Sequence, residues 1–281
     1  MTADVRSLVR QAAEQLAAAG VESSTYDARV LLAHALDVDL GELPLVDSVT
    51  AGQQTAYAAL VARRATREPL QHLTGSAAFR HVELKVGPGV FVPRPETELL
   101  AGWAIEEARG LDSPVVVDLC TGSGAIALAV ANEVPTARVY AVELDEGAHA
   151  WAARNLAGTG VELRHGDMAT AFEELAGRVD IVVCNPPYIP LEAWESVAAE
   201  ARDHDPHLAL FSGDDGLVAL RVLEERAARL LKPGGMVGAE HADVQGESAP
   251  GVFSGSGRWS EVRDHDDLAG RPRYLTARLA R

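Results

Sequence analysis

The chain has 281 residues, of which 47% are hydrophobic, so it is long enough to form two domains with sizeable cores. Twenty-five basic residues stand against 41 acidic ones, and the net charge of -16 disfavours stable binding to nucleic-acid phosphates. Such an acidic surface suits a basic protein partner, although it is also explained by solubility alone.

The cysteine content and the chain start indicate a cytoplasmic protein. Cys120 and Cys184 each close an apolar run, which predicts buried free thiols in a reducing compartment and no disulfide framework. No apolar run approaches the roughly 18 residues of a membrane span. Residues 1–6 lack a signal-peptide pattern. We therefore expect no membrane association.

The N-terminal part of the chain is predicted to be helical. Apolar residues recur at helical spacing over residues 4–19, and Gly20 ends the pattern. A second helix is predicted to follow the N-cap Thr25 and a third to span residues 50–66. These elements predict a small helical bundle over residues 1–72, with docking of a protein substrate as a possible function.

A different pattern occupies residues 73–93. Apolar and charged residues alternate over residues 82–86, and Gly87-Pro88-Gly89 is a turn signal before a second apolar run at 90–92. This predicts a β-hairpin that links the helical bundle to a second domain over residues 94–281.

Strands and helices alternate in the second domain, which predicts an α/β fold with a mostly parallel, Rossmann-like sheet. The predicted strands span residues 115–119, 138–142, 161–165, 179–184 and 236–240, with closing strands at 258–263 and 274–280. The first predicted helix begins within residues 93–98 and runs to about residue 109. The others span residues 125–132, 146–156 and 216–231.

A glycine-rich loop follows the first of these strands. Gly122 and Gly124 allow a tight turn and the close approach of a ligand. Glu143 ends the next strand, where a carboxylate commonly binds ribose hydroxyls. Asp167, after the third strand, is placed to accept from an adenine amino group, although a solvated loop aspartate fits equally well. The cofactor is either a dinucleotide or S-adenosylmethionine, whose ammonium group Asp118 would bind.

Asn185-Pro186-Pro187-Tyr188 follows the strand at 179–184, and its prolines force the chain out of the sheet. The Asn185 side-chain carbonyl and the Pro186 backbone carbonyl are two acceptors for a planar amino group, and Tyr188 offers a flat face. A plain strand-exit turn is the alternative. Next to a nucleoside site, the motif favours S-adenosylmethionine, because a hydride-transfer enzyme has no need to hold an amino group.

Further motifs extend along the chain. They are Arg94-Pro-Glu-Thr-Glu98, Asp118 to Ala127, Asn185-Pro-Pro-Tyr-Ile-Pro190, Asp205 to Leu217, and Glu240 with Gln245. In this order they resemble the release-factor glutamine N5-methyltransferases (the HemK/PrmC family) over nearly the whole chain. The glycine-rich loop and the Asn-Pro-Pro-Tyr motif occur in many amino methyltransferases, whereas the first motif and the order of all of them are far more specific.

The resemblance implies a class I methyltransferase domain over residues 94–281. It implies methyl transfer from S-adenosyl-L-methionine, with S-adenosyl-L-homocysteine as product, to the glutamine of the Gly-Gly-Gln motif in class-1 peptide chain release factors. Such methylation modulates translation termination. We expect a monomer that needs no metal ion.

The same resemblance assigns roles to individual residues. The expected cofactor-binding residues are Asp118, Cys120, Thr121, Gly122, Ser123, Gly124, Glu143, Asp167, Met168 and Asn185. The expected catalytic residues are Asn185, Pro186 and Tyr188, which would bind the glutamine amide together with Pro187, and Arg94 would line the entrance for substrate. Met168 departs from the family, because many relatives have an aromatic residue at this position.

Two alternative functions use the same motifs. Methylation of an exocyclic amino group of a nucleic-acid base needs the same amide acceptors, but the charge of -16 disfavours it. A non-catalytic binding protein with this fold is disfavoured by the intact glycine-rich loop and Asn-Pro-Pro-Tyr motif.

Overall fold

The computed structural model describes residues 4–196 and 198–281. The chain forms two compact units: the first holds the residues up to Ser76 together with Ala198–His204, and the second holds the remainder from Ala77 onward. Residues 1–3 of the predicted helical bundle and residue 197 of the predicted second domain lie outside the described residues.

The first unit is helical. Its first four helices are α1 (Val5–Ala18), α2 (Ser24–Leu36), α3 (Ala51–Ala65) and α4 (Leu70–Thr74), with a 3-10 turn at Leu43–Leu45. Thr50 forms a capping box with Gln53, which explains the start of α3. Thr25, the predicted N-cap of the second helix, lies inside α2 instead, since the N-cap is Ser23, two residues earlier.

A charged network ties the segment Ala198–His204 to the first unit. Arg64 donates to the buried Asp27 at 2.7 Å and to Glu200 at 3.2 Å. Arg67 makes a second ion pair with Glu200 at 2.6 Å. The predicted boundaries placed residues 198–204 in the second domain, whereas the structure groups them with the first unit.

The β-hairpin exists but is displaced along the chain. Its strands are β1 (Ser76–Phe79) and β2 (Val82–Lys85). Residues 82–85 therefore form the second strand, and the chain turns at Arg80, which has a φ of 50°. Residues 90–92, predicted as the second strand, lie outside any strand, although Val90 and Val92 are buried.

The second unit alternates strands and helices as predicted. Its strands are β3 (Val115–Leu119), β4 (Arg138–Glu143), β5 (Glu162–His165), β6 (Val179–Cys184), β7 (Leu231–Glu240), β8 (Trp259–Asp266) and β9 (Pro272–Leu279). The remaining helices of the chain are α5 (Thr97–Arg109), α6 (Ala125–Glu133), α7 (Glu146–Asn155), α8 (Ala199–His204, in the first unit), α9 (His207–Leu210), α10 (Val218–Leu230) and α11 (Ser248–Gly255), with 3-10 turns at Glu173–Leu175, Leu191–Ser196 and Asp243–Gln245.

The seven strands form one sheet in the order β5-β4-β3-β6-β7-β9-β8. The first five are parallel, and β9 runs antiparallel to both β7 and β8. Along β3, Val116 faces one apolar cluster while Val115 and Val117 face the other. Both faces of the sheet are thus covered, which explains the uninterrupted apolar strands and confirms the predicted mostly parallel α/β fold.

Strand order places the site. From β3 the chain adds β4 and β5 on one side, then β6 and β7 on the other. Ligands of open α/β sheets bind beyond the carboxyl ends of the strands at such a point. Leu119 lies opposite Cys184 across the β3–β6 pair, so Cys120 and Asn185 leave neighbouring strands side by side.

Candidate active site

The glycine-rich loop turns sharply between β3 and α6. Cys120, Gly122 and Gly124 have φ values of 63°, 56° and 88°, in the left-handed region where glycine is favoured. A Cβ at Gly124 would lie 3.1 Å from Leu156 Cγ, so glycine also permits close packing there. The Gly122 backbone N–H donates to Glu143 Oε2 at 2.8 Å. The loop is therefore held by the end of the neighbouring strand.

Asp118 is a fully buried carboxyl group at the end of β3. Its Oδ2 accepts from Thr121 Oγ1 at 2.5 Å and from the Ala127 backbone N–H at 3.2 Å. Burial, only partly offset by these bonds, raises the pKa of Asp118 to about 7. No described residue donates to its buried Oδ1. A buried carboxylate oxygen that lacks a donor suits a cationic ligand group, such as the ammonium of S-adenosylmethionine.

Glu143 ends β4 and lies beside this loop. Besides the Gly122 contact, its Oε1 accepts from the Asp145 backbone N–H at 2.9 Å. Burial raises the pKa of this carboxyl group. A carboxylate has about four lone-pair sites, so Glu143 can also accept from a ribose hydroxyl.

The residues after β5 are arranged less distinctively. Met168 is half-buried, and its sulfur lies 3.5 Å from the Cys120 sulfur. Asp167 is exposed, and its Oδ1 accepts from the Ala169 backbone N–H at 2.8 Å. Its carboxylate thus stabilises its own turn, so its adenine contact stays a prediction.

Asn185 belongs to a hydrogen-bond network that links three elements. Its Nδ2 donates to Thr97 Oγ1 at 3.2 Å, and Thr97 Oγ1 donates to Glu240 Oε2 at 2.7 Å. The other Glu240 oxygen accepts from the Tyr188 hydroxyl at 3.1 Å. Burial raises the pKa of Glu240 and that of Tyr188. No described residue donates to Asn185 Oδ1, which leaves that oxygen as an acceptor for a ligand.

Three residues of this network had no role assigned from the sequence. They are Thr97, Glu240 and Gln245. The Nε2 of Gln245 donates to the Tyr188 carbonyl at 3.1 Å. The sequence signals were the motifs that contain them, Arg94-Pro-Glu-Thr-Glu98 and Glu240 with Gln245, and the acidic residue that closes the apolar strand β7. Thr97 and Glu240 are 143 residues apart, so no local spacing relates them.

Arg94 is engaged within the second unit. It donates to the buried Asp205 carboxylate at 2.9 Å, and its guanidinium carbon lies 5.0 Å from the Phe91 ring centroid. Its role at the substrate entrance stays a prediction, as do the substrate contacts of Pro186 and Pro187.

Two features are absent from residues 4–196 and 198–281. No helix there is long and apolar enough to cross a membrane. No group of three or more His, Cys, Asp or Glu side chains there is arranged to hold a metal ion.

Known proteins share both parts of this chain. Residues 7–75 match the PrmC N-terminal domain family, and residues 116–204 match a methyltransferase domain family. The release factor glutamine methyltransferase of Streptomyces coelicolor is 58% identical over 274 residues, which cover 97% of each chain. The chain belongs to the release factor glutamine methyltransferase family. The resemblance inferred from its motifs is thereby confirmed.

Other similar proteins act on different amino groups, according to their names. The 4-amino-L-phenylalanine/4-methylamino-L-phenylalanine methyltransferase of Streptomyces pristinaespiralis is 44% identical, over 93% of this chain and 92% of its own. The 16S rRNA N2 G1207 methyltransferase of Thermus thermophilus, solved with AdoMet and guanosine, has a TM-score of 0.52 and 24% identity, over 73% of this chain and 50% of that one. This likeness confirms the class I methyltransferase fold.

Proposed function

We propose that this protein methylates the side-chain amide nitrogen (N5) of the glutamine in the Gly-Gly-Gln motif of class-1 peptide chain release factors, and so modulates translation termination. The methyl donor is S-adenosylmethionine. The observation that carries the proposal is the orientation of Asn185, whose Nδ2 is held by Thr97 while its Oδ1 receives no donor from the described residues. An acceptor fixed at the end of a buried strand matches the N–H of a primary amide.

The protein's main contribution is positioning, because an amide nitrogen is a poor nucleophile whose lone pair is delocalised into its carbonyl. S-adenosylmethionine supplies a methyl group activated by the sulfonium. Asn185 Oδ1 and the Pro186 carbonyl accept the two amide hydrogens and so orient the nitrogen. Tyr188, fixed by Glu240 and Gln245, packs against the amide plane. Such orientation contributes up to about 7–11 kcal/mol in favourable cases.

The cofactor end of the site is built by the glycine-rich loop. Asp118 Oδ1 holds the ammonium group, and Glu143 accepts from the ribose hydroxyls while it fixes Gly122. Met168 and Asp167 flank the adenine, and Cys120, whose sulfur lies 3.5 Å from that of Met168, belongs to the loop that wraps the cofactor. This chemistry needs no metal ion.

The proposal also covers partners and location. The protein acts as a monomer in the cytoplasm. In that compartment, thiols such as those of Cys120 and Cys184 stay reduced. It forms no stable complex with nucleic acid, because its net charge of -16 repels phosphates.

The test is radiolabelled methyl transfer in parallel to a class-1 release factor, the same factor with its Gly-Gly-Gln glutamine replaced by alanine, RNA, DNA and 4-amino-L-phenylalanine. We expect label only in the unmodified release factor. Asn185→Ala should lower single-turnover transfer by ~10²–10³, the usual loss for one positioned polar contact.

Binding of S-adenosylhomocysteine to the Asn185→Ala variant, measured by calorimetry, serves as the control for folding and cofactor affinity. Label in RNA, DNA or the amino acid, with none in release factor, would overturn the substrate assignment. Wild-type rates for Asn185→Ala would show that the residue merely forms a strand-exit turn.

A further inference from the structure

The direction of the hydrogen bonds around Thr97 follows from their chemistry. A threonine hydroxyl has one proton to donate and two lone pairs to accept with. The neighbouring Glu240 carboxylate has only acceptors, so the proton of Thr97 Oγ1 is committed to Glu240 at 2.7 Å. Only lone pairs are left to face Asn185.

This arrangement dictates which end of the Asn185 amide faces Thr97. Lone pairs on Thr97 accept from Nδ2 and repel Oδ1, so Oδ1 must point away from Thr97. Thr97 and Glu240 are 4% and 1% exposed, and water competes poorly for their bonds. An unsatisfied polar group at such a depth costs on the order of 1–3 kcal/mol.

We propose that Glu240 is a positioning residue for methyl transfer, which acts through Thr97 to hold Asn185 with its oxygen directed at the substrate amide. This inference rests on the proposed role of Asn185. The hydrogen bonds of the site then have a fixed direction: because Glu240 accepts from Thr97, Thr97 accepts from Asn185 Nδ2, and Asn185 Oδ1 faces the substrate. Glu240 also fixes the Tyr188 hydroxyl at 3.1 Å, so one carboxylate orients both side chains.

This direction of the hydrogen bonds makes Asn185→Asp an informative variant. An aspartate offers the same oxygen to the substrate, but its second oxygen faces Thr97 Oγ1. The proton of that hydroxyl is already donated to Glu240, so the second oxygen meets only lone pairs and is repelled. We expect single-turnover transfer to fall at least tenfold at pH 8. Adding Glu240→Gln should restore it, because the glutamine can donate to Thr97, which can then donate to the introduced aspartate.

The double variant Asn185→Asp/Glu240→Gln carries the same total charge as the natural chain. We expect it to transfer methyl at least tenfold faster than Asn185→Asp alone. Glu240→Gln alone should lose only a few-fold, because its side-chain oxygen can turn toward Thr97. Thr97→Ser should retain most of the activity, whereas Thr97→Val, which removes the hydroxyl at constant shape, should lose at least tenfold in kcat with an unchanged Kd for S-adenosylhomocysteine.

Glu224→Gln is the matched control, since Glu224 is another buried carboxylate that accepts from two side chains, Arg258 and Trp259. Combined with Asn185→Asp, it should restore nothing. A double variant no faster than Asn185→Asp, with wild-type folding and cofactor binding, would overturn the positioning role while Asn185→Ala still tests the site itself. Wild-type activity of Asn185→Asp alone would overturn the positioning role as well.

Discussion

At the scale of single residues, Asp118 links cofactor binding to the stability of the free protein. Its folded pKa of about 7 exceeds the value of about 4 for an unfolded aspartate. The stability that its neutral form provides is therefore fully present below about pH 4 and is lost as the pH rises through about 7. A cationic group beside Oδ1 would favour the charged form and reverse this loss.

Asp118→Asn should separate these two effects. Without cofactor, we expect the variant to melt at a higher temperature than the natural protein at pH 8, because it carries no buried charge there. The difference should shrink toward pH 5. The affinity for S-adenosylhomocysteine at pH 8 should fall at least tenfold. Thermal melts at both pH values and calorimetry measure these quantities, and parallel melting temperatures from pH 5 to 8 would show that this carboxyl group does not titrate.

At the scale of elements, the segment before α10 packs directly beneath Tyr188. Gly216 has a φ of 73°, and a Cβ there would lie 2.3 Å from the Tyr188 carbonyl oxygen and 2.8 Å from Gln245 Nε2. Only glycine allows this approach, so Gly216, the last residue of the Asp-Asp-Gly sequence at 214–216, lets the chain pack against the Asn-Pro-Pro-Tyr motif.

Gly216→Ala should therefore displace Tyr188 as well as strain the backbone. Gly177→Ala is the matched control, because Gly177 has a φ of 67° and open space at its Cβ. Backbone strain alone costs roughly 1–2 kcal/mol and should be common to both variants. We expect Gly216→Ala to lose at least twice the unfolding free energy lost by Gly177→Ala, measured in urea, and at least tenfold more methyl transfer. Equal losses would mean that the contact with Tyr188 relaxes freely.

The elements of the second unit were largely predictable, because buried parallel strands are continuous apolar runs and each ends at a polar motif. The turn of the hairpin was predicted too late in the chain, because Gly87-Pro88-Gly89 is a stronger local signal than the actual turn at Arg80. Local patterns also missed the bond between Thr97 and Glu240. This contact joins the start of α5 to the end of β7, and it forms only when the helix packs against the folded sheet.

At the scale of the whole molecule, the sequence did not assign residues 198–204 to the first unit. Their sequence, Ala-Ala-Glu-Ala-Arg-Asp-His, resembles an ordinary solvated helix. The pairing of Glu200 with Arg64 and Arg67 depends on side chains more than 130 positions away. Deleting residues 1–70 would leave Glu200 without these partners, so truncation is a poor test of the predicted docking role.

A groove of about 780 Å³ in the first unit provides a sharper test of that role. Its lining includes the exposed arginines Arg6, Arg10 and Arg29 against the two carboxylates of Asp4 and Glu14, together with apolar residues of α1. The lining is thus slightly basic in a chain whose net charge is -16. We predict that release factor docks at this groove, and its three arginines allow a test by charge reversal.

The double variant Arg10→Glu/Arg29→Glu should weaken this docking without disturbing the chemistry, because both side chains are exposed and belong to the first unit. We expect KM for whole release factor to rise at least tenfold at low salt, and less as added salt screens the charges. The Kd for S-adenosylhomocysteine should stay constant. Arg138→Glu/Arg263→Glu is the control, since it makes the same charge change at exposed positions of the second unit. An equal rise in KM for both variants would mean that net charge alone repels the substrate, and no rise for the groove variant would place docking elsewhere.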